Sequence, residues 1–280
     1  MYLITSKERL TDKVIRLDIL APLVARKAQA GQFIILRAKE NSKRIPLTVA
    51  GQDPDKGTVT VICQIVGAGT MELDTLNEGD SLQDFVGPLG RPSKLDDLKK
   101  VCVVGGGVGC AIAYPIAKKL QEMGATVHSV IGFRNKDLVI LEKEFGDISH
   151  VLRVMTDDGT HGEKGLVTQA LKELIERGHR YDEVIAIGPM PMMKFVSLLT
   201  KEYGIKTTVS MNAIMVDGTG MCGGCRLTVG GKTVFACVDG PDFDAHQVDF
   251  DEAISRSRMY ADFEAHAREE ACRLYGLEVQ

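Results

Sequence analysis

The sequence predicts an antiparallel β barrel followed by a doubly wound parallel α/β sheet, with a cysteine-containing hairpin and a helix at the C-terminus. Residues 1–95 show short strand patterns separated by glycine, proline and asparagine clusters, which is typical of a small antiparallel barrel. From Asp96 onwards strand and helix patterns alternate, as in a parallel sheet with crossover helices. The segment from Asp217 to Cys237 is rich in glycine and contains three cysteines, so we expect a small third unit there.

The composition agrees with a chain of two globular domains. The 280 residues can build two hydrophobic cores, and 44% hydrophobic with 26% charged residues is ordinary for folded domains. A net charge of −4 without a basic tract gives no reason to expect a nucleic-acid partner. The start, MYLITSKERLTDK, lacks the apolar stretch of a signal peptide, and the longest apolar run, Val101–Ala117, is interrupted by glycines and Pro115. We therefore expect no membrane span and a cytoplasmic location.

Within the barrel region, strands are predicted over Val14–Ile19, Gln32–Arg37 and Thr58–Val66. Two further segments have the composition of binding sites. The segment RIPLT, which begins at Arg44, combines a guanidinium, a proline and a hydroxyl. The loop Gly67-Ala68-Gly69-Thr70 precedes a predicted helix over Met71–Leu76, and a glycine loop at a helix start can bind an anion. Each feature alone also has a common structural explanation: such an arginine is usually a solvated surface charge, and such a glycine loop is usually a turn.

In the second region, strands are predicted over Val101–Val104, Thr126–Ile131, Val151–Thr156 and Glu183–Ile187, and helices over Val108–Met123, Leu138–Phe145, Leu166–Arg177 and Pro191–Tyr203. The turn GGGVG, residues 105–109, follows the first strand, where such sheets bind phosphate. The turn departs from the dinucleotide pattern G-x-G-x-x-G because residue 110 is Cys110. No acidic residue ends the second strand, which is followed by Arg134. This pattern alone therefore does not establish a dinucleotide site.

The cysteine segment has the spacing D-x4-C-x2-C-x11-C, formed by Asp217, Cys222, Cys225 and Cys237. Plant-type 2Fe–2S sites have C-x4-C-x2-C and a later fourth cysteine, so a carboxylate here takes the place of the first thiolate. The sequence RLTVGGKTVFACV predicts a hairpin with its turn at Gly230-Gly231, which would return Cys237 to the other cysteines. Three interpretations remain open: a 2Fe–2S cluster, which the spacing favours, a structural zinc site, and a hairpin with buried cysteines.

The remaining cysteines are expected to be buried without a chemical role, and they are Cys63, Cys102, Cys110 and Cys272. A terminal helix is predicted over Arg256–Tyr275, with no evident role in binding a cofactor. Its apolar side chains could form one stripe, made of Met259, Phe263, Ala267 and Leu274. We expect this stripe to face the core or a partner protein.

Three segments of the barrel region, RIPLT, QIVGAGT and GPLG (residues 87–90), together resemble the flavin domain of the ferredoxin–NADP reductase family. The resemblance implies that FAD is bound by Arg44 at the pyrophosphate, by Pro46, Leu47 and Thr48 at the isoalloxazine, by Gln64, Ile65 and Val66 at the ribityl and adenosine groups, and by Gly69 and Thr70 at phosphate. The family often has an aromatic residue where this chain has Pro46, so we expect one stacking partner of the flavin to be missing.

The GGGVG turn and the later segment GPMPMM, residues 188–193, resemble the nicotinamide domain of the same family. The predicted contacts of the nicotinamide cofactor are Gly105, Gly106, Gly107, Val108, Gly109, Arg134, Asp157, Asp158, Gly188, Pro189 and Met190. Arg134 favours NADP because an arginine can accommodate a 2′-phosphate. Asp157 and Asp158 end the next strand and would repel that phosphate, so the balance predicts NAD(H).

The order of the three units resembles the electron-transfer subunits of dihydroorotate dehydrogenase B, and TDDGTHGEKGLVT and CVDGPDF are similar to signatures of that group. Two features instead resemble the small subunits of NADH-dependent reduced ferredoxin:NADP oxidoreductase. They are Asp217 in place of a cysteine and the charged helix that continues over Ser255–Leu277. The implied organisation is an FAD-binding barrel (1–96), an NAD(H)-binding α/β domain (97–210), a 2Fe–2S segment (211–250) and a C-terminal helix (251–280).

The resemblance implies an oxidoreductase subunit that passes electrons between NAD(H), FAD and a 2Fe–2S cluster. Its expected partner is a large flavoprotein subunit with FAD and 4Fe–4S clusters, in a heterodimer that performs electron bifurcation and reaches ferredoxin indirectly. The alternatives are a dihydroorotate dehydrogenase B complex, a stand-alone NAD(P)H–flavin reductase with a zinc site, and a non-enzymatic flavin-binding module. Electron transfer requires no acid, base or nucleophile, and we expect no catalytic residue; His161 is expected to be an exposed polar residue.

Overall fold

The N-terminal part of the chain forms a nearly closed antiparallel barrel in the computed structural model, which describes residues 1–276. Its elements are β1 (Tyr2–Thr11), β2 (Val14–Leu20), α1 (Pro22–Ala25), β3 (Phe33–Arg37), β4 (Ile45–Asp53), β5 (Thr58–Gln64), α2 (Ala68–Asp74), β6 (Ser81–Leu82) and β7 (Asp84–Leu89). The strands lie in the order β6-β1-β2-β5-β4-β3-β7, and every neighbouring pair is antiparallel. The predicted barrel is confirmed.

An alternation of apolar and polar residues builds the barrel core. In β2, Ile15, Leu17 and Ile19 are buried, whereas Arg16 and Asp18 between them are partly exposed. Successive side chains of a strand point to opposite faces, so a shift of one residue would bring the charged pair into the core. The sequence of β2 therefore sets which of its faces points inward.

The rest of the described chain forms a second sheet and a C-terminal region. Its elements are β8 (Lys100–Gly106), α3 (Gly109–Glu122), β9 (Thr126–Phe133), α4 (Glu142–Ile148), β10 (Val151–Thr156), β11 (Glu163–Lys164), α5 (Val167–Glu176), β12 (Glu183–Ile187), α6 (Met190–Glu202), β13 (Thr207–Ser210), β14 (Arg226–Val229), β15 (Lys232–Phe235), α7 (Ala236–Asp239), β16 (Asp242–Asp244), α8 (Phe250–Ser257) and α9 (Ala261–Tyr275). A short 3-10 helix, Lys136–Leu138, precedes α4.

The second sheet has helices on both faces, as predicted. Its strands lie in the order β11-β10-β9-β8-β12-β13-β16, and all neighbours are parallel except β13 and β16. Ile116 of α3 and Phe145 of α4 belong to the core on one face, and Leu171 of α5 and Met193 of α6 to the core on the other. The antiparallel edge strand β16 was not predicted; it follows the cysteine segment and attaches that segment to the sheet.

The helix predicted over Leu138–Phe145 is shifted and interrupted. The chain makes the 3-10 helix, then an extended stretch, and α4 begins only at Glu142. Val139 is extended, Ile140 is buried in the core, and Leu141 has a left-handed φ of 58°. β-branched side chains such as those of Val139 and Ile140 disfavour a helix, and burial of Ile140 outweighs the weak helix signal.

The terminal helix predicted over Arg256–Tyr275 is two helices, α8 and α9, separated by residues 258–260. The predicted end of the charged helix, Leu277, lies outside the described residues. The expected apolar stripe does not face the core, because Phe263 is 76% and Leu274 75% exposed. The buried face of α9 is formed instead by Ala271 and Cys272. Within residues 1–276, no helix is both long and apolar enough to cross a membrane.

Ion pairs fasten α2 to the barrel. The carboxylate of Asp74, at the end of α2, accepts hydrogen bonds from Arg9 of β1 at 2.6 and 2.8 Å and lies 3.1 Å from the ammonium of Lys7. Burial opposes the charged form, but Arg9 and Lys7 outweigh it, and the pKa of Asp74 is lowered. Because its pKa in the folded chain is below the ordinary value, charged Asp74 stabilises the fold near neutral pH. This stabilisation is lost as the pH falls through the lowered pKa.

We expect Asp74→Asn to reduce the free energy of unfolding at pH 7 by about 1 kcal/mol, since the pair is partly solvent-screened. The deficit should shrink as the pH falls below about 4, where aspartate in the unfolded chain takes up its proton. Denaturant unfolding over a pH series measures this deficit. Asp55→Asn is the control, because the carboxylate of Asp55 is exposed and has no partner among residues 1–276. Equal losses in the two variants, or a loss that persists in acid, would contradict the expectation.

Candidate functional site

The hairpin of β14 and β15 brings two of the predicted cluster ligands together. Gly230 and Gly231 form its turn with φ values of 58° and 74°, a conformation that glycine adopts without strain. After the hairpin, the amide of Cys237 donates to Sγ of Cys225 at 3.4 Å, and both cysteines are buried. The return of Cys237 to the paired cysteines thus occurs in the structure; its role as a ligand stays a prediction.

The other two predicted ligands, Asp217 and Cys222, form a second pair nearer the surface. The carboxylate of Asp217 accepts hydrogen bonds from the Thr219 hydroxyl at 2.9 Å and from the Met221 amide at 3.1 Å. A hydrogen bond from the Cys222 thiol, together with these, lowers the pKa of Asp217 to about 2. Asp217 is therefore a carboxylate at neutral pH, which is the form that binds a metal.

The two pairs have the donor chemistry of an iron–sulfur site but are not joined into one. Burial, followed by the neighbouring Cys225, raises the pKa of Cys237 to about 12, and the charge of Asp217 adds to this rise. Among residues 1–276, no three cysteine, histidine or acidic side chains already converge on a metal position. Thiols bind metals as thiolates, so binding would release these protons. The residues fit a cluster by their donor type and by their order in the sequence.

The predicted flavin residues come from two segments that are in contact. Strand β4 begins one residue after Arg44, and a Cβ atom built at Gly69 would lie 3.1 Å from Cδ1 of Ile45. Arg44 is exposed and has no hydrogen bond or ion pair with the rest of residues 1–276. The loop Gln64–Thr70 therefore packs on the start of β4, the strand that Arg44 precedes.

The hydroxyl of Thr70 makes hydrogen bonds within its own loop, and the predicted phosphate contact of this residue stays a prediction. Its hydroxyl accepts hydrogen bonds from the amides of Val66 and Gly67 at 3.0 and 3.1 Å and donates to the Gly67 carbonyl at 3.0 Å. The side chain of Thr70 therefore shapes the loop at the start of α2. A phosphate contact from this residue would have to come from its backbone amide.

The two predicted nicotinamide segments meet at the carboxyl ends of β8 and β12. The strand order reverses between these two neighbours, which is where doubly wound sheets bind their ligands. A Cβ atom built at Gly106 would overlap Sδ of Met192 and lie 3.1 Å from Cδ of Pro189. The GGGVG turn and the GPMPMM segment are therefore in direct contact, and Gly106 permits this contact because it has no side chain.

Arg134, Asp157 and Asp158 lie side by side at the ends of the next two strands. The amide of Asp158 donates to the Arg134 carbonyl at 3.3 Å, and all three side chains are exposed. Hydrogen bonds from the Thr160 hydroxyl and amide lower the pKa of Asp158. His161 is exposed as expected and its Nε2 lies 2.7 Å from Oε2 of Glu142, so it is paired outside the predicted site.

One contact that the sequence did not suggest joins the cysteine loop to the barrel. A Cβ atom built at Gly218 would lie 2.6 Å from Cδ1 of Ile35 and 2.9 Å from Cδ1 of Leu89. Ile35 of β3 is the direct partner of Pro46 in β4. The loop that carries the predicted cluster ligands is therefore one strand away from the predicted flavin strand. No local pattern signals this contact, because its residues are far apart in sequence.

Two cavities differ in their relation to these residues. A cleft of about 810 Å³ separates β2 and β5 from α3; it is lined by Arg16, Asp18 and Tyr114 among others and by none of the predicted site residues. A cavity of about 150 Å³ is lined by Cys222 and Met190 together. The smaller cavity connects the cysteine loop with the GPMPMM segment, whereas the larger cleft touches neither.

Known proteins resemble the chain over nearly its whole length. Residues 212–249 match the family described as the iron-sulfur cluster binding domain of dihydroorotate dehydrogenase B. The chain is 47% identical over 261 residues (93% of this chain, 92% of the relative) to a homolog of the electron transfer subunit of dihydroorotate dehydrogenase B from Thermotoga maritima. It is 35% identical over 223 residues (77% and 85%) to the electron transfer subunit of that enzyme from Streptococcus pneumoniae.

A solved structure also resembles the chain over nearly its whole length. A chain of the NADH-dependent reduced ferredoxin-NADP oxidoreductase, studied for flavin-based electron bifurcation, superposes with a TM-score of 0.92 at 43% identity. The similarity covers 96% of this chain and 97% of that one. It therefore includes most of the C-terminal region as well as both sheets.

The barrel, the parallel sheet and the iron–sulfur type segment define an oxidoreductase subunit of the flavoprotein class with the ferredoxin-reductase fold. The chain belongs to the family of electron-transfer subunits that includes those of dihydroorotate dehydrogenase B. The match over residues 212–249 favours the iron–sulfur interpretation of the cysteine spacing over a zinc site or a plain hairpin. The resemblance inferred from the sequence is confirmed.

We expect Arg44→Ala to weaken FAD binding at least about tenfold, because a hydrogen bond to a charged group contributes roughly 1.5–3 kcal/mol. Equilibrium dialysis of the purified chain measures the change. Lys43→Ala is the control, since Lys43 is the exposed neighbouring cation. If both variants keep the original affinity, Arg44 does not bind the pyrophosphate.

We expect the Asp217→Ala variant to contain less iron, because the position requires an anionic donor. The Asp217→Cys variant should keep its iron and show a changed visible spectrum. Iron content and electron paramagnetic resonance of the reduced protein measure this outcome. Asp244→Ala, an exposed aspartate in β16, is the control. Full iron content with an unaltered spectrum in the alanine variant would place the fourth ligand elsewhere.

Proposed function

We propose that this chain is an electron-transfer subunit that passes electrons between NAD(H), FAD and a 2Fe–2S cluster to a larger partner flavoprotein. The contact of Gly218 with Ile35 and Leu89 carries this proposal. It sets the cysteine loop against the barrel strand beside the one that carries Pro46, Leu47 and Thr48. An electron leaving a flavin on β4 would thus have a short path to a cluster on this loop.

The order of carriers follows from their chemistry. FAD would supply the link between the two ends, because nicotinamide exchanges a hydride, an iron–sulfur cluster exchanges one electron, and flavins can do both. In this proposal Arg44 binds the pyrophosphate, while Pro46, Leu47 and Thr48 orient the ring system. The turn at Gly106 and the segment beginning at Gly188 bind the nicotinamide nucleotide in the crevice above β8 and β12.

The cluster is proposed to be of the 2Fe–2S type, with Asp217, Cys222, Cys225 and Cys237 as its ligands. The spacing supports this type, and the match of the segment to an iron–sulfur domain supports the metal. Asp217 is a harder donor than a thiolate and would tune the reduction potential of the cluster.

The nicotinamide is proposed to be NAD(H). Asp157 and Asp158 are exposed next to Arg134, and two carboxylates would repel a 2′-phosphate more than one guanidinium attracts it. The amide and the hydroxyl of Thr160 donate hydrogen bonds to the carboxylate of Asp158 and hold this charge in place.

The partner is proposed to be a large flavoprotein subunit with FAD and 4Fe–4S clusters, in an electron-bifurcating NADH-dependent reduced ferredoxin:NADP oxidoreductase with ferredoxin reached indirectly. The similarity over 96% of the chain at 43% identity supports this choice. Beside the cysteine loop, Met221 is 89% and Val216 53% exposed. Such apolar side chains next to the single-electron site are suited to contact another protein. The second candidate is a dihydroorotate dehydrogenase B complex, favoured by the match of residues 212–249.

We expect the isolated chain to transfer electrons from NADH to ferricyanide but not to ferredoxin or NADP. In this proposal the chain binds a nicotinamide that exchanges a hydride, an FAD, and a 2Fe–2S cluster that exchanges one electron. It has no 4Fe–4S clusters to carry electrons on to ferredoxin. An anaerobic assay with NADH, ferredoxin and NADP, with and without the large subunit, measures the difference.

The assay also separates the two candidate complexes. Ferredoxin-linked turnover on adding the large flavoprotein supports the bifurcating complex, whereas turnover of dihydroorotate on adding a dihydroorotate dehydrogenase supports the second candidate. Sustained ferredoxin reduction by the single chain would contradict the role of a subunit.

A further inference from the structure

The C-terminal helix α9, which no sequence pattern links to a cofactor, packs on α2 of the barrel. Ala271 and Cys272 form a buried cluster with Met71, and Ile65, Ala68 and Tyr275 pack against it. Ile65 belongs to the predicted flavin segment. The segment that leads into α2 is therefore covered by α9.

The side chains of α9 divide into an inner and an outer face. Ala271 and Cys272 are buried, and Tyr275 packs against the cluster that they form with Met71 of α2. Phe263 and Leu274, in contrast, are exposed. Residues three and four apart share one face of a helix, so the inner face continues to Arg268 one turn earlier.

Arg268 is a cation without a partner on this inner face. It is partly buried, and it makes no hydrogen bond or ion pair with any other part of residues 1–276. Arg273 on the same helix is, by contrast, 78% exposed and lies 4.0 Å from Glu269. A partly buried guanidinium loses water contacts, and an anionic ligand would restore them.

The flavin segment is thus flanked by two unpaired arginines. On one side Gly69 packs against Ile45, the residue after Arg44. On the other side Ile65 and Met71 pack against the face of α9 that carries Arg268. Two guanidinium groups match the two negative charges of a dinucleotide pyrophosphate.

We propose that Arg268 is a second phosphate-binding residue of the flavin site, brought there by the packing of α9 on α2. The ligand class is a flavin with an anionic phosphate tail, so Arg268 would contribute to the retention of FAD and not to the redox step. This inference rests on the proposed function in one respect, namely that FAD occupies the segment between Arg44 and α2.

The test compares Arg268→Gln with Arg273→Gln, the same change on the same helix. The full-length chain loaded with FAD is dialysed against competing riboflavin, which has the same ring system without phosphate. We expect Arg268→Gln to lower the preference for FAD over riboflavin at least about tenfold, and Arg273→Gln to leave it within twofold, roughly the scatter of surface changes. A general loosening of the fold would weaken both ligands and leave the preference unchanged, and that result would overturn the proposal.

A second pair of variants tests how Arg268 is positioned. Ala271→Asp places a charge in the buried contact between α9 and α2, whereas Ala265→Asp places it on the exposed face of α9. We expect the preference for FAD to fall in the first variant only, and an unchanged preference there would also overturn the proposal. If the unmodified chain bound no FAD, the proposed function itself would be contradicted. If the chain bound FAD and all four variants kept its preference for FAD over riboflavin, only the proposed role of Arg268 would be contradicted.

Discussion

The arrangement of the site depends on the close approach of the cysteine loop to the barrel at Gly218. A side chain at this position would force the ends of Ile35 and Leu89 to shift and would strain the backbone, whose φ is 75°, so glycine is what allows the loop to approach this closely. The contact sets the separation between the loop of predicted cluster ligands and the strand of predicted flavin contacts. Electron transfer between carriers requires them to be held close, and here that closeness follows from packing rather than from any reactive side chain.

A junction of backbone and side-chain hydrogen bonds holds this contact in place. The amide of Arg91, just after the barrel, donates to the carbonyl of Gly240 at 2.7 Å. The hydroxyl of Ser93 donates to Asp242 of β16 at 2.5 Å. Burial raises the pKa of Asp242, although Ser93 and Ser210 stabilise its charged form. Because β16 also pairs with β13, one short strand joins the cysteine segment, the parallel sheet and the link to the barrel.

The C-terminal helices add a second connection across the same region. The junction of α8 and α9, at Met259 and Tyr260, lines the small cavity next to Cys222, and the far end of α9 packs on Met71 of α2. The helix thus extends from the cysteine loop to the predicted flavin segment. Its outward side chains, Phe263 and Leu274, stay exposed, so the stripe that looked like a core face in the sequence is free for other contacts.

The sequence by itself determined the two sheets, the hairpin and the identity of the candidate ligands, because each depends on local patterns: alternation in β2, the glycine turn at 230–231, and the cysteine spacing. It could not determine the interrupted start of α4, since burial of Ile140 is decided by distant residues. Nor could it show that the hydroxyl of Thr70 makes its hydrogen bonds within its own loop, to Val66 and Gly67. Only the tertiary structure decided that Gly218 meets Ile35 and that α9 covers the predicted flavin segment, because such contacts join residues far apart in the chain and depend on the packing of whole elements.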